Sequence, residues 1–226
     1  MGTITLSKAN RLFWLGRYLE RVYTSLKASR PLFEADTDGQ EENYAGYCEK
    51  LGLPNDYQST ANFIRRYYFD SDNPYSIVTA LGHAYDNAVV LRETLTTETL
   101  AYIQMAVSAM QLAASSTGPG VGLQWVLDDI MAFRGSCEEK IDEEVSRNII
   151  KTGASLERVD LYLRLGYDSA LCEREFSRLF NRLYKAQLNT DQTKLNFLVD
   201  AILDKTTEMP FRSDLLKAVD GLFFEM

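Results

Sequence analysis

Two short segments of the chain carry a Glu-Arg pair in the same helical context. Residues 16–26 read GRYLERVYTSL and residues 153–163 read GASLERVDLYL, and the matching positions keep one offset of 137 (157 − 20). A carboxylate beside a guanidinium group can form a structural ion pair, help to bind an anion, or serve in acid–base chemistry. The two pairs are therefore the first candidates for chemistry, and the repeat suggests two related helical halves.

The first interpretation is a duplicated structural ion network, in which a glutamate of one half bonds to an arginine of the other. The first helix is apolar on most faces, which predicts that Glu20 and Arg21 lie at least partly inside. Arg17 precedes Glu20 by three residues and can pair with it locally. The aromatic residues that make this helix apolar are Phe13, Trp14 and Tyr18.

The second interpretation is a pocket in which Arg17, Arg21 and Arg158 hold a carboxylate or a phosphate, which guanidinium groups can bind through two parallel hydrogen bonds. A third interpretation is an enzyme that uses Glu20 or Glu157 as an acid or base beside an arginine. The pairs of residues alone leave all three open. If the Glu-Arg pairs are buried and bonded, the enzyme interpretation weakens, whereas an open concave pocket would strengthen it.

Other motifs offer little chemistry. His83 is the only histidine, which excludes the usual di-iron set of two Glu-x-x-His motifs and leaves one candidate for any catalytic triad. The acidic run EEKIDEE at 138–144 is typical of a solvated helix start. The GPGVG sequence at 118–122 lacks the Gly-Lys-Ser/Thr ending of a phosphate loop and predicts a flexible turn. We therefore expect no metal, no cofactor and no ATP binding by the chain alone.

Composition bounds the class of protein. The 226 residues carry a net charge of −8, which argues against nucleic acid as a partner because no basic surplus exists to neutralise phosphates. Three cysteines without CxxC spacing fit reduced thiols in a cytoplasm. The start of the chain lacks the basic and apolar regions of a signal peptide. The most apolar stretch, 101–114, is too short to cross a bilayer, so we expect no membrane partner.

Helical periodicity dominates the chain and predicts an all-α fold of about eight helices in one domain over residues 1–226. We expect Ser7 to cap the first helix and Pro31 to end it, Asn73-Pro74 to start another, and residues 36–60 and 115–122 to be connections. The predicted helices span about 6–29, 60–69, 74–95, 97–114, 122–134, 137–167, 169–188, 192–206 and 211–224, with one short helix possible in the pattern at 40–50.

These motifs resemble a known family, the bacterial alpha-E domain, an all-helical domain named for its Glu-Arg motifs. Residues 6–22, LSKANRLFWLGRYLERV, are similar to its opening helix, and the resemblance extends over residues 6–165. In this chain Ala154 and Ser155 stand where the family's second block usually has two arginines. The further segments that carry the resemblance are FRG at 133–135, GASLERVDLYLRL at 153–165, and a middle block with Asp86-Asn87, Arg92, Thr97 and Glu98.

The resemblance implies a context, since alpha-E domains accompany ATP-grasp ligases of the amide-forming type and transglutaminase-like proteins. It implies a helical accessory or interaction module of a system that makes or modifies peptides, with the ligase or its peptide substrate as partner. The alternative is an amide-forming or amide-transferring subunit that uses Glu20 or Glu157. We favour a chain that is not an enzyme by itself, and its state as a monomer or homo-oligomer stays open.

The candidate site residues lie in the blocks similar to the family. Five arginines and three glutamates in these blocks leave a local excess of two positive charges, which predicts an anion near Arg21 or Arg158 if one is bound. The candidates for an anion site or a structural ion network are Arg17, Glu20, Arg21, Asn87, Arg92, Glu98, Arg134, Glu157 and Arg158.

Overall fold

The computed structural model describes residues 4–40, 42–204 and 211–224. These residues form eleven α-helices and no strand, apart from one isolated bridge between Thr190 and Phe223. None of the described helices combines the length and hydrophobicity that crossing a bilayer requires. The helices are α1 Leu6–Ala28, α2 Arg30–Thr37, α3 Tyr44–Leu51, α4 Thr60–Phe69, α5 Ile77–Val90, α6 Thr97–Ser115, α7 Gly120–Lys140, α8 Glu144–Leu165, α9 Ser169–Ala186, α10 Gln192–Leu198 and α11 Arg212–Asp220, with a π-helical segment at Val199–Asp204.

The all-α prediction is confirmed, but the expected number of about eight helices is too low. Pro31 does not end the helical path, because α1 ends at Ala28 and Pro31 lies in the first turn of α2. Proline is tolerated there, since the first amides of a helix have no partner within the helix. The π-helical segment replaces the later part of the helix predicted over 192–206, whose end at 205–206 lies outside the described residues.

Two helix boundaries differ from the predictions, and in one of them a different residue supplies the cap. Helix α5 starts at Ile77 and not at Pro74, since the Ser76 side chain accepts a hydrogen bond from the Thr79 amide and caps the helix. Helix α7 begins inside the glycine-rich segment and continues past residues 134–137, where we expected a break. The acidic run 138–144 is accordingly divided between the last turn of α7, a short connection and the start of α8.

The chain divides into two compact units. The first unit comprises residues 1–17 and 143–226, where α8 packs against α9 and α11. The second unit comprises residues 18–142, where α6 packs against α7 and α5, and α4 packs against α2 and α5. One domain over 1–226 stays a prediction.

Aromatic residues fill much of the core of the second unit. Tyr67 and Tyr68, from the sequence RRYYFD, are buried, so this cluster is core packing and not an exposed interface. Tyr68 shares a 2.7 Å hydrogen bond with the Ser29 hydroxyl, which gives the buried phenol a polar partner. Rings of Tyr47 and Phe63 lie 5.8 Å apart in an edge-to-face arrangement.

In the first unit, α1 and α8 approach each other through two glycines of the sequence repeat. A methyl group on Gly16 would lie closer than 3.0 Å to the carbonyl oxygen of Ile150, and one on Gly153 equally close to that of Phe13. Phe13 and Ile150 are themselves equivalent under the offset of 137. The repeat therefore corresponds to a locally symmetric backbone contact, in which each helix places its carbonyl against the glycine of the other.

This contact predicts that Gly16→Ala and Gly153→Ala each destabilise the protein. The added methyl groups meet rigid backbone, so we expect a loss of about 1–3 kcal/mol in the free energy of unfolding. Chemical denaturation followed by circular dichroism measures it.

Gly82→Ala and Gly135→Ala are the matched controls. Both glycines lie within helices, and a methyl group added to either would meet no heavy atom within 4 Å beyond its chain neighbours and its own helix backbone. The free energy of unfolding of these two variants should rise by about 0.5–1 kcal/mol, because alanine restricts the unfolded chain and favours the helix. Equal effects for Gly16→Ala and Gly82→Ala would contradict the close contact.

Candidate functional site

The second Glu-Arg segment buries its glutamate against an arginine of the first helix. Glu157 of α8 is 1% exposed, and Arg17 of α1 donates from Nε to its Oε2 atom at 2.7 Å. The Arg17 guanidinium also lies over the indole of Trp14, with Cζ 4.8 Å from the ring centroid. The prediction that Arg17 pairs with Glu20 is wrong, because the contact at Gly16 places α8 directly beside position 17.

The first Glu-Arg segment buries its glutamate inside the second unit. Glu20 is 0% exposed and accepts hydrogen bonds from Arg134 at 2.6 Å and from the Thr24 hydroxyl at 2.8 Å. Arg134 is the arginine of the FRG sequence in α7, and its guanidinium stacks on Tyr23 with Cζ 4.2 Å from the ring centroid. The FRG block therefore does come together with the first Glu-Arg pair.

The two arginines of the motif face other neighbours than the glutamates do. Arg21 lies over the ring of Tyr18 in its own helix, with Cζ 5.8 Å from the centroid. Arg158 donates to Glu175 of α9 at 2.9 Å. Sequence reasoning missed Glu175, although a signal existed. This glutamate lies in the apolar stripe of α9 formed by Cys172, Phe176 and Leu179.

The middle block contributes little to these buried charges. Arg92 is exposed and pairs with the adjacent Glu93 at 3.5 Å, and Glu98 is exposed and pairs with Lys140 at 3.5 Å. Glu98 lies in the first turn of α6, where a negative charge is favoured by the helix dipole. Asn87 is half-buried on α5. Arg92 and Glu98 therefore form their ion pairs with residues outside the two Glu-Arg segments.

A buried aspartate of α8 was also missed. Asp160 accepts a 2.8 Å bond from Arg164 at Oδ2, whereas its buried Oδ1 atom has no hydrogen-bond partner. Burial raises the pKa of Asp160 above its ordinary value, and the negative charges of Glu157 and Asp220 add to that rise, while Arg164 opposes it. An unpaired buried oxygen is unfavourable for the charged form, which agrees with the direction of this shift.

His83 and the three cysteines, whose side chains can ligate metals or act as nucleophiles, lie apart from the two motif glutamates in the sequence. Among the described residues, no group of three histidine, cysteine or acidic side chains could hold a metal ion. His83 is exposed, and its ring lies 5.2 Å from that of Tyr18. The three free cysteines are buried, and burial raises the pKa of Cys48 to about 11. A thiol with such a pKa is a poor nucleophile near neutral pH.

The fold and these contacts define a class of protein, an all-helical domain in which Glu-Arg segments bury their glutamates against arginines. The chain belongs to the Alpha-E family, described as a predicted alpha-helical domain with a conserved ER motif, whose model matches residues 6–203. The match extends past the 6–165 region on which the resemblance was based. No curated protein and no solved structure matches the chain.

The burial of Glu20 predicts a large structural effect of its removal. Glu20→Ala removes the buried carboxylate that accepts hydrogen bonds from Arg134 and Thr24, so we expect a loss of about 3–5 kcal/mol in the free energy of unfolding. Glu98→Ala is the control at an exposed position and should change stability by no more than about 0.5 kcal/mol. Comparable melting temperatures for the two variants would argue against a structural role for Glu20.

The raised pKa of Asp160 predicts a pH-dependent effect of Asp160→Asn. A carboxyl with a raised folded-state pKa contributes most stability at acidic pH, below its unfolded value, and loses that contribution as pH rises through the folded value. The wild type should therefore lose stability relative to Asp160→Asn as pH increases from about 4 to 8. Urea denaturation at several pH values measures this difference.

Asp38→Asn, which changes an exposed acid, is the control. The same pH dependence for Asp160→Asn as for this control would mean that burial does not hold the Asp160 carboxyl towards its neutral form.

Proposed function

We propose that the chain is a non-enzymatic interaction module of a system that makes or modifies peptides, acting with an ATP-grasp-type amide ligase or with the peptide substrate of that ligase. The observation that carries the non-enzymatic part is the burial of both motif glutamates, Glu20 and Glu157, each bonded to an arginine. A general acid or base must come within hydrogen-bond reach of a substrate. Side chains this buried are poorly placed to do so, which disfavours the alternative amide-forming enzyme.

The cysteines also support a module without its own acyl-transfer chemistry. A catalytic cysteine needs an accessible thiolate with a lowered pKa. Cys48 and Cys172 have the opposite property, since burial raises the pKa of both thiols. Cys137 is buried in α7.

The second unit offers a surface suited to a protein partner. A pocket of about 290 Å³ lies between α1, α2, α4 and α7 and is lined mainly by apolar side chains, with Arg30 and Glu34 as its charged members. Val121 lines this pocket and is 61% exposed, and Trp125, one helical turn further along α7, is 48% exposed. Tryptophan is enriched among the residues that anchor protein interfaces, and Trp125 lies four residues from the pocket residue Val121 on one side of α7. We therefore place the docking surface for the ligase here.

The class of partner rests on the family context. Alpha-E domains accompany ATP-grasp ligases, and the chain belongs to that family by its match over residues 6–203. The glycine-rich segment supports the division of labour, because residues 120–122 are part of α7 and the described segment has no Lys-Ser/Thr ending to bind a nucleotide phosphate. In this proposal the ligase binds ATP and the helical chain binds the ligase.

Affinity capture from the source organism tests the partner class. The tagged chain should recover an ATP-grasp ligase that mass spectrometry identifies, and the purified pair should form a complex of defined stoichiometry. The double variant Val121→Asp/Trp125→Ala should lose that ligase. Val90→Asp alters an equally exposed apolar residue on α5 and should keep it, which controls for added surface charge.

Turnover assays test the non-enzymatic part. The purified chain alone should neither hydrolyse ATP nor form amide bonds. Turnover by the chain that disappears in Glu20→Gln or Glu157→Gln would overturn the proposal in favour of the enzyme. In the capture experiment, failure to recover an ATP-grasp ligase would overturn the proposed partner. If the double variant recovers the ligase as well as the wild type does, the proposed surface is wrong.

A further inference from the structure

One buried carboxylate in the first unit receives three arginines. Glu175 of α9 is buried, and Arg158 of α8 donates to its Oε2 atom at 2.9 Å. Arg178 donates to the other oxygen, Oε1, at 2.6 Å, and the Nε atom of Arg174 lies 3.5 Å from that same oxygen. Three guanidinium groups thus converge on a carboxylate that carries a single negative charge.

Three arginines contact the single negative charge of Glu175. Arg158 is largely buried, whereas Arg174 and Arg178 place two positive charges near the surface at one position. Their ion pairs in the described part of the chain are both with Glu175. A guanidinium group has five N–H donors, and each of these two uses only a small share of them on Glu175. Two like charges held this close favour an added anion.

Exposure makes these two arginines available to a ligand. The side chains of Arg174 and Arg178 are 56% and 50% exposed, whereas Glu175 beneath them is 2% exposed. The same edge of α9 continues with Arg182, which donates to the Ser155 hydroxyl of α8, and with Lys185. The spacing of 174, 178, 182 and 185 is that of one helix face. A basic edge therefore exists on a chain whose net charge is −8.

We propose that Arg174 and Arg178, positioned by Glu175, form a binding site for a phosphate monoester. A phosphate monoester carries about −1.5 to −2 charges near neutral pH and so matches two guanidinium groups, whereas one carboxylate supplies half of that charge. Each guanidinium can also offer two parallel N–H donors to phosphate oxygens. Glu175 is a positioning residue, because it fixes both arginines at the same oxygen and does not itself face the ligand.

This site lies outside the surface proposed for the ligase and does not depend on it. The convergence of the arginines on one point favours a small dianionic group over an extended anionic surface. A membrane surface would instead use the charges spread along α9 together with exposed aromatic residues, and α9 also carries Phe180 and Tyr184 at its surface. Vesicles containing phosphatidylserine therefore serve as the competing case in the test.

Calorimetric titration of the full chain at constant ionic strength tests the proposal, with phenyl phosphate and benzoate as matched probes. Phenyl phosphate should bind at pH 7.5 with a dissociation constant several-fold lower than that of benzoate. Its affinity should fall towards pH 5, because its second proton associates near pH 6. Arg174→Ala/Arg178→Ala should weaken binding of phenyl phosphate about tenfold or more.

Two further variants separate binding from folding. Arg174→Lys/Arg178→Lys keeps the charges but removes the planar fork, so its affinity should lie between those of wild type and the alanine variant. Arg92→Ala removes an exposed arginine elsewhere and should bind as wild type does, and circular dichroism checks that each variant is folded. The proposal would be overturned if phenyl phosphate showed no saturable binding or bound no more tightly than benzoate. It would also be overturned if the wild type bound only the vesicles, and not phenyl phosphate, and the alanine variant lost that binding.

Discussion

The close contact of α1 with α8 at Gly16 and Gly153 determines where the motif residues lie. Each glutamate follows its glycine by four residues, and positions four apart lie on one face of a helix. The face that allows backbone to approach backbone is therefore also the face that carries the carboxylate, so Glu157 is buried together with Gly153. Arg17, directly after Gly16, is brought beside α8 by the same contact and supplies the positive charge that Glu157 needs.

The two halves of the repeat then satisfy their glutamates differently. The position equivalent to Arg17 in the second half is residue 154, which is alanine in this chain. No arginine can therefore repeat the Arg17–Glu157 pair in reverse, and Glu20 instead takes Arg134 and Thr24 from its own unit. Burial of a carboxylate without a partner would cost several kcal/mol. Arg134 of the FRG block supplies the positive charge for Glu20 in this chain.

The sequence predicts most of the fold but only part of the site. Apolar periodicity identifies α1, α4, α6 and α9, and the aromatic residues around α1 correctly predict that Glu20 is buried. The partner of Arg17 could not be predicted, because a local pairing with Glu20 and a pairing 140 residues away both satisfy the same charge, and only the helix contact decides between them. Pro31 is equally ambiguous, since it suits both the end of one helix and the first turn of the next. Glu175 was predictable in principle from its place in an apolar stripe.

Adjacent residues on a helix point about 100° apart, and this separation explains why the motif joins a glutamate to an arginine. In α8, Glu157 faces α1 and bonds to Arg17, while Arg158 faces α9 and bonds to Glu175. The Glu-Arg dipeptide has no net charge, yet it links α8 to two neighbouring helices: the glutamate bonds to an arginine of α1, and the arginine bonds to a glutamate of α9. Such buried pairs contribute little net stability, but a helix that rotated out of register would leave both charges unpaired. The motif therefore selects the arrangement of three helices, and it leaves the exposed surfaces of the two units available for binding.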